Sequence, residues 1–142
     1  MNCFKCGKKA TKGSFFCDRC GAGPLKILFV DDEESLRKLM VRLLACLKHH
    51  VESAASGPEA VKKVMKEHYD LVITDLEMPD MSGLELAKIV KGWQPRCPVV
   101  LLTGNRTGFN QKSDGSSSID AVIHKPVTLG MLKGSIFGIL SE

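Results

Sequence analysis

The sequence has no apolar run of about 18 residues, the length that a membrane-spanning helix needs, so no membrane partner is expected. Its first ten residues, MNCFKCGKKA, lack the apolar stretch of a secretory signal peptide. Nothing suggests an oxidising compartment, so the six cysteines are not predicted to form disulfides. These absences leave a cytoplasmic protein of ordinary globular composition, with 44% hydrophobic and 25% charged residues.

A balanced charge is also missing from the N-terminal segment. Residues 1–24 carry five basic side chains against Asp18 alone, a net +4, whereas residues 25–142 carry 15 basic and 15 acidic side chains. This excess is the only feature that favours a nucleic-acid partner. The support is weak, because four thiolates around one Zn²⁺ would remove two of these charges.

Four of the six cysteines lie in the same N-terminal segment, as two C-x2-C pairs ten residues apart, each followed by a glycine. They are Cys3, Cys6, Cys17 and Cys20. Paired thiolates at this spacing predict one tetrahedral structural Zn²⁺. We therefore predict a four-cysteine zinc-ribbon module at residues 1–23, joined by a short Gly- and Pro-containing link to a domain at residues 25–142. The other two, Cys46 and Cys97, are expected to be small buried side chains.

From residue 25 onward, apolar strand-like runs alternate with helical patterns. Alternation of this kind predicts an α/β fold with a parallel sheet covered on both faces. The helix over 34–48 has an apolar stripe of Leu36, Leu39, Met40, Leu43, Leu44 and Leu47. The predicted strands are 25–30, 51–54, 71–74, 99–102 and 121–124, and the predicted helices are 34–48, 58–68, 83–91 and 129–140. Between the last two strands the polar stretch Asn105–Ser118 favours no stable helix.

Chemically distinctive residues stand where these strands end. Asp31 and Asp32 follow the first strand, Asp75 the third, Thr103 the fourth and Lys125 the fifth. Because the carboxyl ends of parallel strands share one edge, these side chains are expected to meet there. Carboxylates suit Mg²⁺, and an Asp carboxylate is also a nucleophile towards phosphorus. The cluster predicts magnesium-assisted phosphoryl chemistry.

The stretches VDDEES, TDLEMPDMSGLEL, LLTG and HKP resemble the receiver domain of two-component response regulators. The resemblance implies a flavodoxin-like, doubly wound five-stranded sheet of order 2-1-3-4-5 and a cis bond before Pro126. It implies that Asp75 accepts a phosphoryl group from a sensor histidine kinase, with Lys125 and Thr103 contacting that group. It also implies a Mg²⁺ site made by Asp31, Asp32, Asp75 and the backbone carbonyl of Glu77.

Family members are phosphoacceptors that catalyse their own phosphotransfer and slow dephosphorylation, so the resemblance implies a phosphoacceptor and not an enzyme. We expect a protein that switches an unknown downstream partner, with no C-terminal output domain after its last helix. The sequence departs from the family at one signalling position. Family members usually couple the Thr, here Thr103, to an aromatic residue on the fifth strand, three positions before the Lys, and that residue is Val122 here. The alternative is a nucleic-acid-binding regulator in which the zinc ribbon is the effector, and a third interpretation is an inactive scaffold.

Overall fold

The computed structural model describes residues 25–104 and 118–140. The predicted zinc ribbon of residues 1–23, with Cys3, Cys6, Cys17 and Cys20, lies outside the described residues. So does the segment predicted to lack a stable helix, apart from Ser118. Those predictions stay predictions.

The described residues form five strands and four helices, which alternate from β1 to β4; β5 and α4 follow. The strands are β1 (Lys26–Val30), β2 (His50–Ala54), β3 (Leu71–Asp75), β4 (Val99–Thr103) and β5 (Ala121–His124). The helices are α1 (Glu34–Cys46), α2 (Gly57–Lys66), α3 (Gly83–Trp93) and α4 (Leu129–Leu140). Each strand and helix predicted from the sequence is present, with ends that differ by one or two residues in most cases.

All strand pairs are parallel, and the sheet order is β2-β1-β3-β4-β5, as expected. The register places Phe29 opposite both Ser53 and Ile73, so β1 lies between β2 and β3 inside the sheet. Strands β1, β3 and β4 are buried almost throughout, which is why their sequences are continuous apolar runs rather than alternating ones.

The two faces of the sheet carry separate apolar layers. Leu28 and Val72 pack with α2 and α3 on one face, whereas Phe29 and Ile73 pack with α1 and α4 on the other. Successive side chains of a strand point to opposite faces, so one apolar run supplies both layers. This three-layer packing fixes the strand ends that carry the candidate site.

Serine side chains begin two of the helices. Ser56 Oγ accepts a hydrogen bond from Glu59 N at 3.2 Å, and Ser82 Oγ accepts one from Glu85 N at 3.2 Å. These are N-caps, which satisfy backbone donors that the first turn of a helix leaves unpaired. The cap at Ser56 sets the start of α2 at Gly57, one residue before the predicted start.

Two predictions about α1 are wrong. Cys46 is exposed, while Cys97 is buried as predicted. Leu39, assigned to the apolar stripe, is 50% exposed. The reason is that Met40 and Leu44, one turn apart, define the buried face, and residues 39 and 46 are rotated away from it. Within the described ranges, no helix is long and apolar enough to cross a membrane.

Candidate functional site

The carboxyl edge of the sheet collects the residues predicted from the strand ends. Asp31 follows β1 directly, and its N–H donates to Ala54 O at 3.1 Å, which extends the β1–β2 ladder. Asp75 is the last residue of β3 and Thr103 the last of β4. Lys125 follows β5, and its N–H donates to Thr103 O at 2.8 Å. Parallel pairing therefore brings residues almost 100 positions apart in sequence to one edge.

Three carboxylates form the centre of the site. Single oxygen atoms of Asp31, Asp32 and Asp75 all lie within 4.8 Å of one another. Lys125 Nζ lies 3.1 Å from Asp75 Oδ1 and 3.8 Å from Asp31 Oδ2. One ammonium group thus faces two nearly buried carboxylates, while Asp32 stands at the exposed rim.

Burial makes the charged forms of these acids costly. The pKa of Asp75 is raised above its usual range, chiefly because the side chain is desolvated, although the hydrogen bond and charge of Lys125 act in the opposite direction. The pKa of Asp31 is also raised, first by desolvation and then by the negative charge of Asp75, against a backbone hydrogen bond that lowers it. One lysine does not offset the negative charge gathered at this edge.

Asp31 is held firmly by its surroundings. Its Oδ1 accepts a hydrogen bond from Glu33 N at 2.8 Å, and its backbone carbonyl accepts one from Arg37 Nη1 at 2.8 Å. Its Oδ2 is buried and accepts no hydrogen bond from the part of the chain that the structure describes. An oriented carboxylate oxygen of this kind is a ready ligand for a cation.

The backbone around Asp75 is closely packed. The Thr74 hydroxyl donates to Asp75 O at 3.0 Å, and Gly83 N donates to Leu76 O at 2.9 Å. A Cβ atom at Gly83 would overlap Asp75 O. Residue 83 therefore has to be a glycine for α3 to begin this close to the end of β3.

The remaining predicted residues surround this centre. Thr103 is 1% exposed at the end of β4, next to β5. Glu77 is exposed and lines an open cleft of about 550 Å³ beside the site, together with Met78 and Pro79. The Lys125–Pro126 bond is cis, as predicted. Val122, at the position where the family usually has an aromatic residue, stands opposite Leu101 and packs against the core.

The donor set fits a hard divalent cation. It offers oxygen atoms only, from three carboxylates within reach of one point, and two of these are short of compensating charge. Mg²⁺ prefers oxygen ligands and is bound through one or two carboxylates with retained waters. The partly exposed rim at Asp32 leaves room for water and for a further anionic ligand.

Sequence reasoning missed Arg37 and Thr74. Arg37 fixes the backbone of Asp31 from one turn inside α1, and Thr74 fixes the carbonyl of Asp75. The available signal for Arg37 was its position, six residues after Asp31, the first residue of the acidic pair. Thr74 gave none, because a β-branched residue is ordinary in a buried strand.

Comparisons with known proteins agree with this geometry. A family model for the response regulator receiver domain matches residues 27–137. Sensor protein EvgS of Escherichia coli (strain K12) is 37% identical over 109 residues, which are 77% of this chain and 9% of that protein. The chain thus spans about a tenth of the length of this curated relative.

Two solved structures show the same fold. The chemotaxis protein CheY4 of Vibrio cholerae has a TM-score of 0.75 and 30% identity, and the match covers 82% of this chain and 99% of that one. The response regulator TrrA of Thermotoga maritima, solved in complex with Mg²⁺-BeF, has a TM-score of 0.72 and 35% identity, with coverage of 80% and 97%. Together with the matched residues 27–137, these similarities identify this chain as a member of the response regulator receiver domain family.

Proposed function

We propose that this protein is a two-component signalling switch that accepts a phosphoryl group on Asp75 from the phosphohistidine of a sensor histidine kinase. The observation that carries the proposal is the position of Asp75 Oδ1, 3.1 Å from Lys125 Nζ and inside the three-carboxylate cluster. A further relative, from Escherichia coli (strain K12) and 30% identical over 112 residues, is named sensor histidine kinase RcsC, which supports a kinase of that class as the donor.

In the proposed reaction an oxygen of the Asp75 carboxylate attacks the phosphorus atom of the phosphohistidine. The new O–P bond forms as the P–N bond breaks, and the imidazole leaves with the electron pair and takes up a proton from solvent. Hydrolysis of the acyl phosphate returns Asp75 to the carboxylate and releases inorganic phosphate. The protein is its own catalyst in both steps and needs no further enzyme.

Lys125 and Thr103 are proposed to contact the phosphoryl group. The ammonium of Lys125 already faces Asp75, so it is placed to offset the charge that arrives on the phosphoryl oxygens. Thr103 ends the neighbouring strand, and its hydroxyl is a suitable hydrogen-bond donor for a phosphoryl oxygen. The open cleft beside Glu77 leaves an approach for the donor protein.

Asp31, Asp32, Asp75 and the backbone carbonyl of Glu77 are proposed to hold Mg²⁺. When bound, Mg²⁺ would supply positive charge that offsets both the carboxylate cluster and the phosphoryl oxygens. Asp31 is suited to this role because its Oδ1 is oriented by Glu33 N while its Oδ2 accepts no hydrogen bond within residues 25–104 and 118–136.

The N-terminal cysteines are proposed to bind one structural Zn²⁺ in a separate module of residues 1–23, beside a receiver domain of residues 25–142. The support is the spacing of Cys3, Cys6, Cys17 and Cys20. The net +4 of residues 1–24 favours a second candidate function, in which this module contacts nucleic acid under control of the receiver. Salt-sensitive retention of the full chain on RNA or DNA, lost when Cys17 and Cys20 are replaced by Ser, would support it.

Native intact mass, recorded before and after incubation with acetyl phosphate and Mg²⁺, tests the leading proposal. One zinc before incubation and one base-labile phosphoryl group afterwards are expected. Asp75→Asn should abolish the phosphoryl increment, whereas Asp80→Asn, which removes an exposed carboxylate from the following loop, should retain it. Equal labelling of the wild type and Asp75→Asn, or no labelling of the wild type, would exclude Asp75 as the acceptor.

A further inference from the structure

The sole tryptophan of the chain, Trp93, is 55% exposed at the last residue of α3. Met65, in the last turn of α2, is 51% exposed. Exposed large apolar residues grouped at one place mark a contact surface, and tryptophan is among the residues that contribute most to binding. We call these two exposed side chains, which stand at the C-terminal ends of α3 and α2, the tryptophan patch.

One side chain ties these two helix ends together. Gln94, which follows Trp93, donates from Nε2 to Val64 O at 2.9 Å and to Glu67 O at 2.8 Å. Those two carbonyls lie on either side of Met65 in the sequence. The tryptophan patch is therefore built on a rigid junction of α2 and α3, at the edge of the sheet opposite the carboxylate cluster.

The N-terminal segment leaves the domain at this same edge. Gln94 Oε1 accepts from Tyr69 N at 3.0 Å, and Asp70 Oδ2 accepts from Lys26 N at 2.9 Å. Two hydrogen-bonded steps thus connect the residue after Trp93 to the first residue of β1. A link of four residues, 21–24, can reach at most about 14 Å from Leu25, so this edge of the sheet is within reach of the segment that precedes the link.

The N-terminal segment also has apolar side chains to cover. Residues 1–24 include Phe4, Phe15 and Phe16. About twenty residues cannot enclose three phenylalanines in a core of their own. The tryptophan patch offers apolar surface within the reach of the link.

We propose that residues 1–24 dock on the tryptophan patch and so hold the cysteine module at the edge opposite the phosphoacceptor. The docking is independent of phosphoryl transfer. It rests on the proposed zinc site only in that bound zinc would fix the shape of the segment. The receiver surface and the cysteine module then form one unit rather than two domains on a free tether.

Tryptophan fluorescence of the full chain tests the docking directly, because Trp93 is the single tryptophan and therefore the source of the signal. Acrylamide quenching is measured for the wild type, for Phe15→Ala/Phe16→Ala and for Leu39→Ala, which removes an exposed leucine from α1 on the other face of the sheet. In the wild type, loss of exposed indole area should lower the quenching constant about two-fold relative to the double variant. Leu39→Ala should behave like the wild type. Native mass of each sample gives its zinc content, and phosphoryl labelling confirms that each variant is folded.

Each outcome decides the proposal. A quenching constant in the wild type equal to that of the double variant, with Trp93 open to acrylamide, overturns it even if zinc is bound. A Trp93 that is protected in both proteins also overturns it, and a dependence on protein concentration would then assign the patch to a second copy of the chain. Protection that requires the phenylalanines but occurs without zinc supports docking and removes the zinc site alone.

Discussion

The contact between α3 and the end of β3 gives a sharp test of how the site is built. A Cβ atom at residue 83 would overlap Asp75 O and lie 2.7 Å from Leu101 Cδ1, so a neighbour has to move by about 1 Å to reach an ordinary contact. The carbonyl cannot move freely, because the Thr74 hydroxyl donates to it and Leu76 N donates to Leu102 O at 2.9 Å. Gly83→Ala therefore forces strain into the backbone that carries the phosphoacceptor.

Overpacking of this kind costs about 1–3 kcal/mol, and a rigid backbone partner places Gly83→Ala at the upper end, near 3 kcal/mol. Gly92→Ala is the matched control, since it lies in the same helix and a Cβ there meets nothing within 4 Å. Alanine favours a helix over glycine by about 1 kcal/mol, so Gly92→Ala should stabilise the protein by up to that amount. The two substitutions should change stability in opposite directions.

Urea unfolding monitored by circular dichroism measures the change in unfolding free energy for both variants, and phosphoryl labelling reports on the site. Gly83→Ala should also label more slowly, because the displaced Asp75 carbonyl shifts its carboxylate relative to Lys125. A loss below about 0.5 kcal/mol, the usual size of a surface substitution, would refute the argument that this junction is rigid. So would equal effects of Gly83→Ala and Gly92→Ala.

Three further outcomes are expected. Asp31→Asn should raise the stability of the metal-free protein at pH 7 by on the order of 1 kcal/mol, because it removes a desolvated charge. In thermal melts the same substitution should weaken the stabilisation by Mg²⁺. A variant whose metal-free form is less stable than the wild type would contradict this. Burial lowers the pKa of His49 to about 4 from 6.5, so protonation favours the unfolded chain, and stability present above pH 6.5 should fall by up to about 3 kcal/mol as the pH drops to 4. In urea titrations His49→Gln should reduce that slope, and an unchanged slope would contradict its assignment to His49. Gln94→Ala removes two hydrogen bonds to the end of α2 and one to Tyr69 N, and should cost about 2 kcal/mol in the same assay. A loss under about 0.5 kcal/mol would show that water replaces them.

The sequence predicted which strand-end residues meet at one edge, because their placement follows from local pattern and one topological rule. Apolar runs located the strands, and parallel pairing then placed Asp31, Asp75 and Lys125 at one edge without any knowledge of distances. The strand order and the cis bond before Pro126 came from the family resemblance instead. Nothing local in the residues of β5 determines on which side of β4 it lies.

The features that sequence did not predict depend on contacts between distant segments. Gln94 bonds to residues 25 to 30 positions away, and no pattern around it distinguishes it from an ordinary polar residue after a helix. The exposure of Leu39 and Cys46 depends on the rotation of α1 over the sheet, which packing against Met40 and Leu44 decides. Periodicity alone allows a stripe wider than the face that is finally buried.

The two edges of the sheet differ in how far their charges are satisfied. At the edge of the tryptophan patch, Lys26 Nζ lies 3.4 Å from Glu52 and 3.1 Å from Glu67, and the Tyr69 hydroxyl lies within hydrogen-bond distance of both carboxylates. At the other edge, Asp31 and Asp75 are nearly buried with raised pKa values and share one lysine. A ligand that brings positive charge to the second edge removes an existing cost, so its binding energy adds directly to the stability of the fold. Among the described residues the first edge has no such deficit. For that reason we expect ligand-linked changes in stability to originate at the carboxylate cluster while the junction of α2 and α3 stays fixed.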